Sequence, residues 1–192
     1  LENALADFHD RGVLKTRRLG YDGKGQRVFR SQQDDPAGAY DALGRVPLIL
    51  ESFVAFEREI SIIASRGRDG TVLCYDPAEN VHRNGILHTS TLPARIPGRT
   101  ADLARDSARK LLEALDYTGV IGIEFFVMAD GALIANEIAP RVHNTGHWTE
   151  AACIVSQFEQ HIRAIAGLPL GQPDRHSDCL MTNLIGSDIA DL

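Results

Sequence analysis

Two runs rich in β-branched and aromatic residues flank Asp130-Gly131 in the stretch from Glu124 to Glu137. Asp-Gly between such runs specifies a β-hairpin, because both central positions of a type I′ turn need positive φ. With Asp130 and Gly131 as the turn, Ala129 faces Ala132, Met128 faces Leu133, and counting outward sets Glu124 directly opposite Glu137. Their side chains then share one face. Ile121, Ile123, Phe125 and Val127 occupy the other face of the first strand, which becomes the buried one.

Directly opposed residues have Cβ atoms about 5 Å apart, and like charges there are destabilising. The pair therefore calls for something positive between its members. Mg²⁺ takes oxygen ligands and is commonly held by one or two carboxylates while waters and substrate phosphates complete its shell. Two solvated glutamates on an exposed sheet face are the other reading of the same residues, and a turn one residue longer would break the register.

A chain of 192 residues, 44% of them hydrophobic, buries a sizeable core as one domain or two small lobes. A formal net charge of −6 provides no basic field, which argues against general nucleic-acid binding and leaves any anionic ligand to be met locally. Cys74, Cys153 and Cys179 show neither zinc nor redox spacing and read as structural thiols of a reducing cytoplasm. No apolar run has membrane-spanning length. The chain opens in what reads as a helix, as an internal fragment of a longer protein would.

Apolar spacing predicts a helix over residues 1–11 stopped by Gly12, then a strand over Val13–Arg17. Gly20-Tyr21-Asp22-Gly23-Lys24-Gly25-Gln26 forms a glycine-rich loop, and Arg27–Arg30 returns as a strand. Lys24 is followed by Gly25 rather than Ser or Thr, so this is not a P-loop; its amides can still cradle phosphate as a flap, or it is a plain hairpin tip. A short helix is expected from Pro36 to Leu43, and strands over 47–54, 60–64, 71–75 and 86–91. Residues 77–85 read as an irregular polar segment in which His82 is a surface histidine. Thr100 caps a helix with an apolar stripe of Ala104, Ala108, Leu111, Leu112 and Leu115. A second long helix, opened by Trp148 or Thr149, is expected to bury Ala151, Ile154, Val155, Phe158, Ile162 and Ile165. Residues 173–178 read as a linker, and 179–186 as the first strand of a further domain.

A flap, a lysine in the strand feeding it, and a carboxylate pair followed by Asn136 and Arg141 are the parts that phosphoryl transfer needs, since that chemistry is mostly positioning and charge neutralisation. Leu14-Lys15-Thr16, the Gly20–Gln26 loop, Asn136-Glu137, the segment Ala139-Pro140-Arg141-Val142-His143-Asn144-Thr145-Gly146-His147-Trp148 and Asn183-Leu184-Ile185-Gly186 resemble motifs of the ATP-grasp carboxylate–amine ligases. Within that superfamily they are similar to the N5-carboxyaminoimidazole ribonucleotide synthases of purine biosynthesis. The resemblance runs in order over nearly the whole chain, and the Pro-Arg-Val-His-Asn segment is its most specific part.

The resemblance implies an α+β ATP-grasp fold, two lobes with antiparallel sheets, divided as a flap lobe over about 13–50 and a larger lobe over about 51–172. Residues 173–192 would be a linker and the start of a small C-terminal β-rich domain. Lys15 would contact the phosphates of ATP and Gly20, Tyr21, Asp22, Gly23, Lys24, Gly25 and Gln26 would close over them. Glu51, Ser52, Phe53 and Val54 would line the adenine, Glu59 would accept the ribose hydroxyls, and His82 would be a nucleotide-site histidine. Glu124 and Glu137 would hold Mg²⁺, or Mn²⁺ in its place, with Asn136 beside them. Arg141, His143 and Asn144 would sit where bicarbonate meets the amine of 5-aminoimidazole ribonucleotide. The implied reaction forms carboxyphosphate from ATP and bicarbonate and carboxylates that amine. The full-length enzyme would be a cytoplasmic homodimer without nucleic-acid or membrane partners. Such enzymes carry an N-terminal Rossmann-like domain that this sequence lacks, so an isolated fragment is expected to be inactive. Another ATP-grasp ligase, formate-dependent or resembling biotin carboxylase, and a non-catalytic nucleotide-binding module are the alternatives.

Overall fold

The computed structural model describes residues 1–20 and 24–189. They group into two units: Leu1–Ala55 with Arg83–Ile86, and Phe56–His82 with the chain from Leu87 onward.

In the first unit, α1 (Glu2–Ala6), β1 (Gly12–Thr16), β2 (Gln26–Phe29), α2 (Ala39–Ala42) and β3 (Leu48–Ser52) build a three-stranded antiparallel sheet of order β2-β1-β3. Period-two alternation turns Leu14 inward to pack with Leu5, Phe29 and Ala39, and leaves Lys15 on the opposite face. The first helix is shorter than expected. His9 and Asp10 adopt φ values of 55° and 60°, a left-handed turn that ends it well before Gly12, which instead opens β1. The centre of the glycine-rich loop, Tyr21, Asp22 and Gly23, lies outside the described residues.

The second unit is built on a seven-stranded sheet. Its strands are β4 (Arg58–Arg66), β5 (Val72–Cys74), β6 (Ala78–Arg83), β7 (Ile86–Leu92), β8 (Gly119–Val127), β9 (Leu133–Ala139) and β10 (Cys179–Thr182). The order is β10-β7-β6-β4-β8-β9, with β5 also paired to β4. The segment read as irregular around His82 is therefore strand β6, and Cys179–Thr182, read as opening a further domain, is the edge strand of this sheet.

The sheet is antiparallel, and its two faces differ. On one, Ile60, Ile62 and Ala64 of β4 alternate inward with Ile121, Ile123, Phe125 and Val127 of β8. Helix α3 (Gly98–Ala114) covers them with Ala104, Ala108 and Leu112, the stripe expected from sequence; Leu115 is instead exposed. Each such large aliphatic side chain contributes roughly 1.5–3 kcal/mol on burial. Thr100 does not cap α3 but donates from its hydroxyl to Gly131 O at 3.1 Å, tying the helix start to the β8–β9 turn. The other face is apolar only at one end, where Ile63 and Val120 lie with Trp148, Ala152 and Cys153.

The second long helix is in fact two: α4 (Thr149–Ala152) and α5 (Gln157–Ala166), the latter capped by Ser156, whose hydroxyl accepts from Glu159 N. The buried side of α5 carries Gln157, Gln160 and Ala164, while Ile154 is 81% exposed and Ile162 and Ile165 also face outward. Of the expected aliphatic stripe Val155 is buried, but on α5 two glutamines take the stripe's place because each satisfies a neighbouring backbone: Gln160 bonds both N and O of Gly171, and Gln157 bonds N and O of His143. The three cysteines are free thiols. Among the described residues no helix is long and apolar enough to cross a membrane.

Candidate functional site

The β8–β9 hairpin sets Glu124 directly opposite Glu137, but by a different route from the one the sequence suggests. The turn has three residues rather than two: Met128 N donates to Ala132 O, and Gly131, at φ 82°, closes the loop back onto Met128 O. Met128 thus faces Ala132, one residue out of the expected register. A β-bulge between Glu124 and Phe125, where Asn136 is the extra residue of β9, takes up the difference and restores the carboxylate pair.

Strand pairing gathers further groups on that face. Glu59 and Ser61 of β4 lie opposite Phe126 and Glu124 of β8, and Asn80 of β6 lies opposite Glu59. His82, two residues on from Asn80, hydrogen-bonds through Nδ1 to Glu59 Oε2, and its Nε2 is 4.0 Å from Glu124 Oε2. Phe56 stacks on Phe126 beside them with ring centroids 4.4 Å apart.

His143 stands between the two hairpin acids. Its Nδ1 is 3.9 Å from Glu124 Oε1 and its Nε2 is 3.4 Å from Glu137 Oε1. The ring is fixed by Thr145 Oγ1 at 2.9 Å from Nδ1, and the backbone by the Gln157 amide, which accepts from His143 N and donates to His143 O. Gly122 makes room for it: a Cβ there would lie 2.6 Å from His143 Cβ. Gln157 was not legible as a site residue, since a glutamine on a helix carries no signal of what backbone it clamps.

The result is an alternating series, Glu59–His82–Glu124–His143–Glu137, within one unit. Burial lowers the proton affinity of His82, but the hydrogen bond and charge of Glu59, with Glu124 and Glu137 behind it, prevail and raise its pKa. Glu124 is 7% exposed, and burial raises its pKa against the pull of His82 and His143. Glu137, with a side chain 53% exposed, is held below the usual carboxylate range first by the His143 imidazole, with Arg141 assisting. The place between the opposed acids is thus taken by an imidazole of the chain itself.

Among the described residues no three His, Cys, Asp or Glu side chains are arranged to hold a metal ion unaided. An oxygen pair of this kind still suits Mg²⁺, which needs only one or two carboxylates when phosphates and waters fill its other positions. Asn136 is exposed at the bulge; Arg141 is exposed, with Nη1 donating to Val142 O; Asn144 opens the 3₁₀ turn Asn144–Gly146.

The remaining candidates belong to the first unit. Lys15 Nζ donates to Glu51 Oε2 at 2.6 Å, joining the expected phosphate and adenine contacts in an ion pair across β1 and β3. Phe53 lies under the guanidinium groups of Arg11 and Arg30, 5.2 and 5.7 Å from its centroid. Ser52 is exposed at the end of β3 and Val54 half-buried; Gly20, Lys24 and Gln26 are exposed, and Gly25 half-buried with its O accepting from Thr16 N.

Residues 1–158 match the family model for the ATP-grasp domain. The chain is 63% identical over 187 residues to an N5-carboxyaminoimidazole ribonucleotide synthase of Brucella melitensis, covering 97% of this chain and 52% of that protein. A crystal structure of an N5-carboxyaminoimidazole ribonucleotide synthetase in complex with ADP superposes with a TM-score of 0.93 at 43% identity, over 98% of this chain and 50% of that one. The Aspergillus clavatus synthase in complex with ADP and 5-aminoimidazole ribonucleotide gives a TM-score of 0.88 at 32% identity, over 96% and 48%. The chain therefore spans about half the length of the relatives it matches.

Proposed function

The chain belongs to the ATP-grasp family, and from that premise we propose that it is the nucleotide- and metal-binding part of an ATP-dependent ligase that carboxylates 5-aminoimidazole ribonucleotide with bicarbonate. The observation that carries this reading is the carboxylate–imidazole series on one sheet face, from Glu59 through His82, Glu124 and His143 to Glu137. The similarity to relatives whose solved complexes hold ADP and 5-aminoimidazole ribonucleotide supports the choice of substrates.

In this reading a bicarbonate oxygen attacks the γ-phosphorus of ATP, ADP leaves, and the resulting carboxyphosphate delivers its carboxyl carbon to the amine with loss of phosphate. Bicarbonate is a poor electrophile, so it must be activated. The anions that meet are neutralised locally, since the chain as a whole is acidic. Lys15 would meet the phosphates, with Glu51 as its resting partner. Glu51, Ser52, Phe53 and Val54 would line the adenine, Glu59 the ribose, and His82 would steady Glu59 through its hydrogen bond. Glu124 and Glu137 would hold Mg²⁺ beside Asn136, and the ion would supply charge neutralisation at the phosphates. The exposed Arg141 guanidinium would hold bicarbonate, with His143 positioned by Thr145 and Gln157 at the meeting point of the reactants. A homodimeric full-length enzyme in the cytoplasm belongs to the same reading.

Phosphate release by the full-length protein tests it. Release that depends on bicarbonate together with 5-aminoimidazole ribonucleotide is expected. Release driven by formate or by biotin instead would assign a different ATP-grasp ligase, and nucleotide binding with no turnover on any of them would leave a binding module.

A further inference from the structure

On the site's face two buried side-chain polar atoms, Ser61 Oγ and Asn80 Nδ2, lack hydrogen-bond partners among the described residues. Ser61 is 1% exposed and Asn80 4%, yet neither the Ser61 hydroxyl nor Asn80 Nδ2 makes a hydrogen bond. Buried polar groups are almost always paired, so each unpaired one calls for an explanation beyond packing. Their places are specific. Ser61 is the direct cross-strand neighbour of Glu124, and Asn80 that of Glu59. Directly opposed side chains start about 5 Å apart at Cβ, within reach of a hydrogen bond once the longer one leans over. Asn80 is anchored by its other end, where Ser90 Oγ donates to Oδ1 at 2.8 Å.

Among the described residues, nothing holds the Glu124 oxygens at hydrogen-bond distance: the nearest imidazole nitrogens stand at 3.9 and 4.0 Å. Carboxylates that ligate metals are themselves held by hydrogen bonds from behind, which fix the oxygen that faces the ion. At position 61, whose neighbour on β6 is Ala78, alanine would differ from serine only by the hydroxyl.

Resting on the functional reading above, we propose that Ser61 is a positioning residue for Glu124, its hydroxyl donating to the carboxylate so that the other oxygen is presented to Mg²⁺, with Asn80 backing Glu59 in the same way. The experiment is calorimetric titration of the protein with ADP, with and without Mg²⁺, for wild type and Ser61→Ala, alongside thermal melts without ligand. Loss of about 10-fold in the Mg²⁺-dependent gain of ADP affinity is expected, the usual size for a residue supporting a metal ligand. Metal-free ADP affinity and the ligand-free melting temperature should stay at wild-type values, and Ser61→Thr, which keeps the hydroxyl, should recover most of the gain. Full retention of the Mg²⁺-dependent gain in Ser61→Ala overturns the proposal. So does a lowered melting temperature with binding intact, which marks a structural serine. If Ser61→Ala does not fold, Ser61→Cys, nearly isosteric and a weak donor, carries the same comparison. A wild-type protein whose ADP affinity ignores Mg²⁺ overturns the metal assignment itself, an outcome distinct from failure at Ser61.

Discussion

His143 stands 3.9 Å from Glu124 and 3.4 Å from Glu137, so the two acids respond differently to loss of charge. Glu137 ionises more readily in the fold than outside it, and Glu137→Gln removes a favourable interaction with the imidazole. The opposed pair taken alone predicts the reverse. Because the Glu137 side chain is half exposed, the loss should be about 0.2–1 kcal/mol, the size of a screened ion pair. Glu124 is the acid that burial penalises: its folded pKa lies above 4.5, so its ionisation costs stability as pH rises through that folded value. Glu124→Gln should therefore raise the ligand-free melting temperature at neutral pH by a few degrees, roughly a 1 kcal/mol effect in a chain of this length. Melts of both variants check the signs; a lower melting temperature for Glu124→Gln would refute the assignment. His82 gives a third reading at this scale. Its pKa is raised from 6.5, so its charged form contributes stability that is complete below that pH and is lost as pH climbs through the folded value. In His82→Gln that loss should be missing from the pH profile of stability. The hairpin strands and the two acids were legible because strand alternation is local, whereas the opposition of Glu124 and Glu137 came out as expected only because a longer turn and a bulge cancel. His143 as their bridge was not legible, because its seat depends on a missing Cβ at Gly122 and on Gln157, both distant in sequence.

At the scale of elements, the β8–β9 hairpin keeps its acids opposed through two departures from the simplest pairing that cancel: a third loop residue and the extra residue at Asn136. Sequence pattern located the strands, but loop length and bulge are settled by the fit of the turn against α3. There Arg99 Nη2 donates to Asp130 O at 2.7 Å and Thr100 Oγ1 to Gly131 O at 3.1 Å. Gly131 is the sensitive point, with φ at 82° and room so tight that an added methyl group would meet Thr100 Oγ1 at 3.0 Å. Gly131→Ala should cost about 1–2 kcal/mol from the left-handed backbone alone, and Gly131→Asn less, since asparagine tolerates that region. Equal melting temperatures for wild type and Gly131→Ala would show that the loop tolerates a side chain here and would overturn this reading of Gly131. The split of the expected second helix into α4 and α5 has a similar origin. Its aliphatic residues suggested a buried stripe, yet what decides the packing is the polar demand of the backbone at His143 and Gly171, met by Gln157 and Gln160.

Across the whole molecule the apolar core is unevenly divided. The second unit has two buried clusters on the faces of one long sheet, each with wide aromatic or aliphatic side chains. The first rests on Leu5, Leu14, Phe29 and Ala39, helped by Leu43, Leu48 and Leu50. A body of roughly 60 residues is already marginal, since it buries a smaller share of its surface than a larger domain does. Its helices are also a single turn or little more, too short to add stability of their own. Local opening should therefore cost less free energy in the first unit than in the second. Hydrogen exchange in the absence of nucleotide checks this: amides of β1, β2 and β3 should exchange through openings well below the global unfolding free energy, while those of β4 and β8 report the global value. ADP with Mg²⁺ should slow exchange at β1 and β3 if Lys15 and Glu51 take the roles proposed for them, because ligand binding stabilises whichever elements form its site. Protection of β1–β3 equal to that of β4 and β8 without ligand would show that the small core suffices by itself, and no response to ADP would separate Lys15 and Glu51 from the nucleotide.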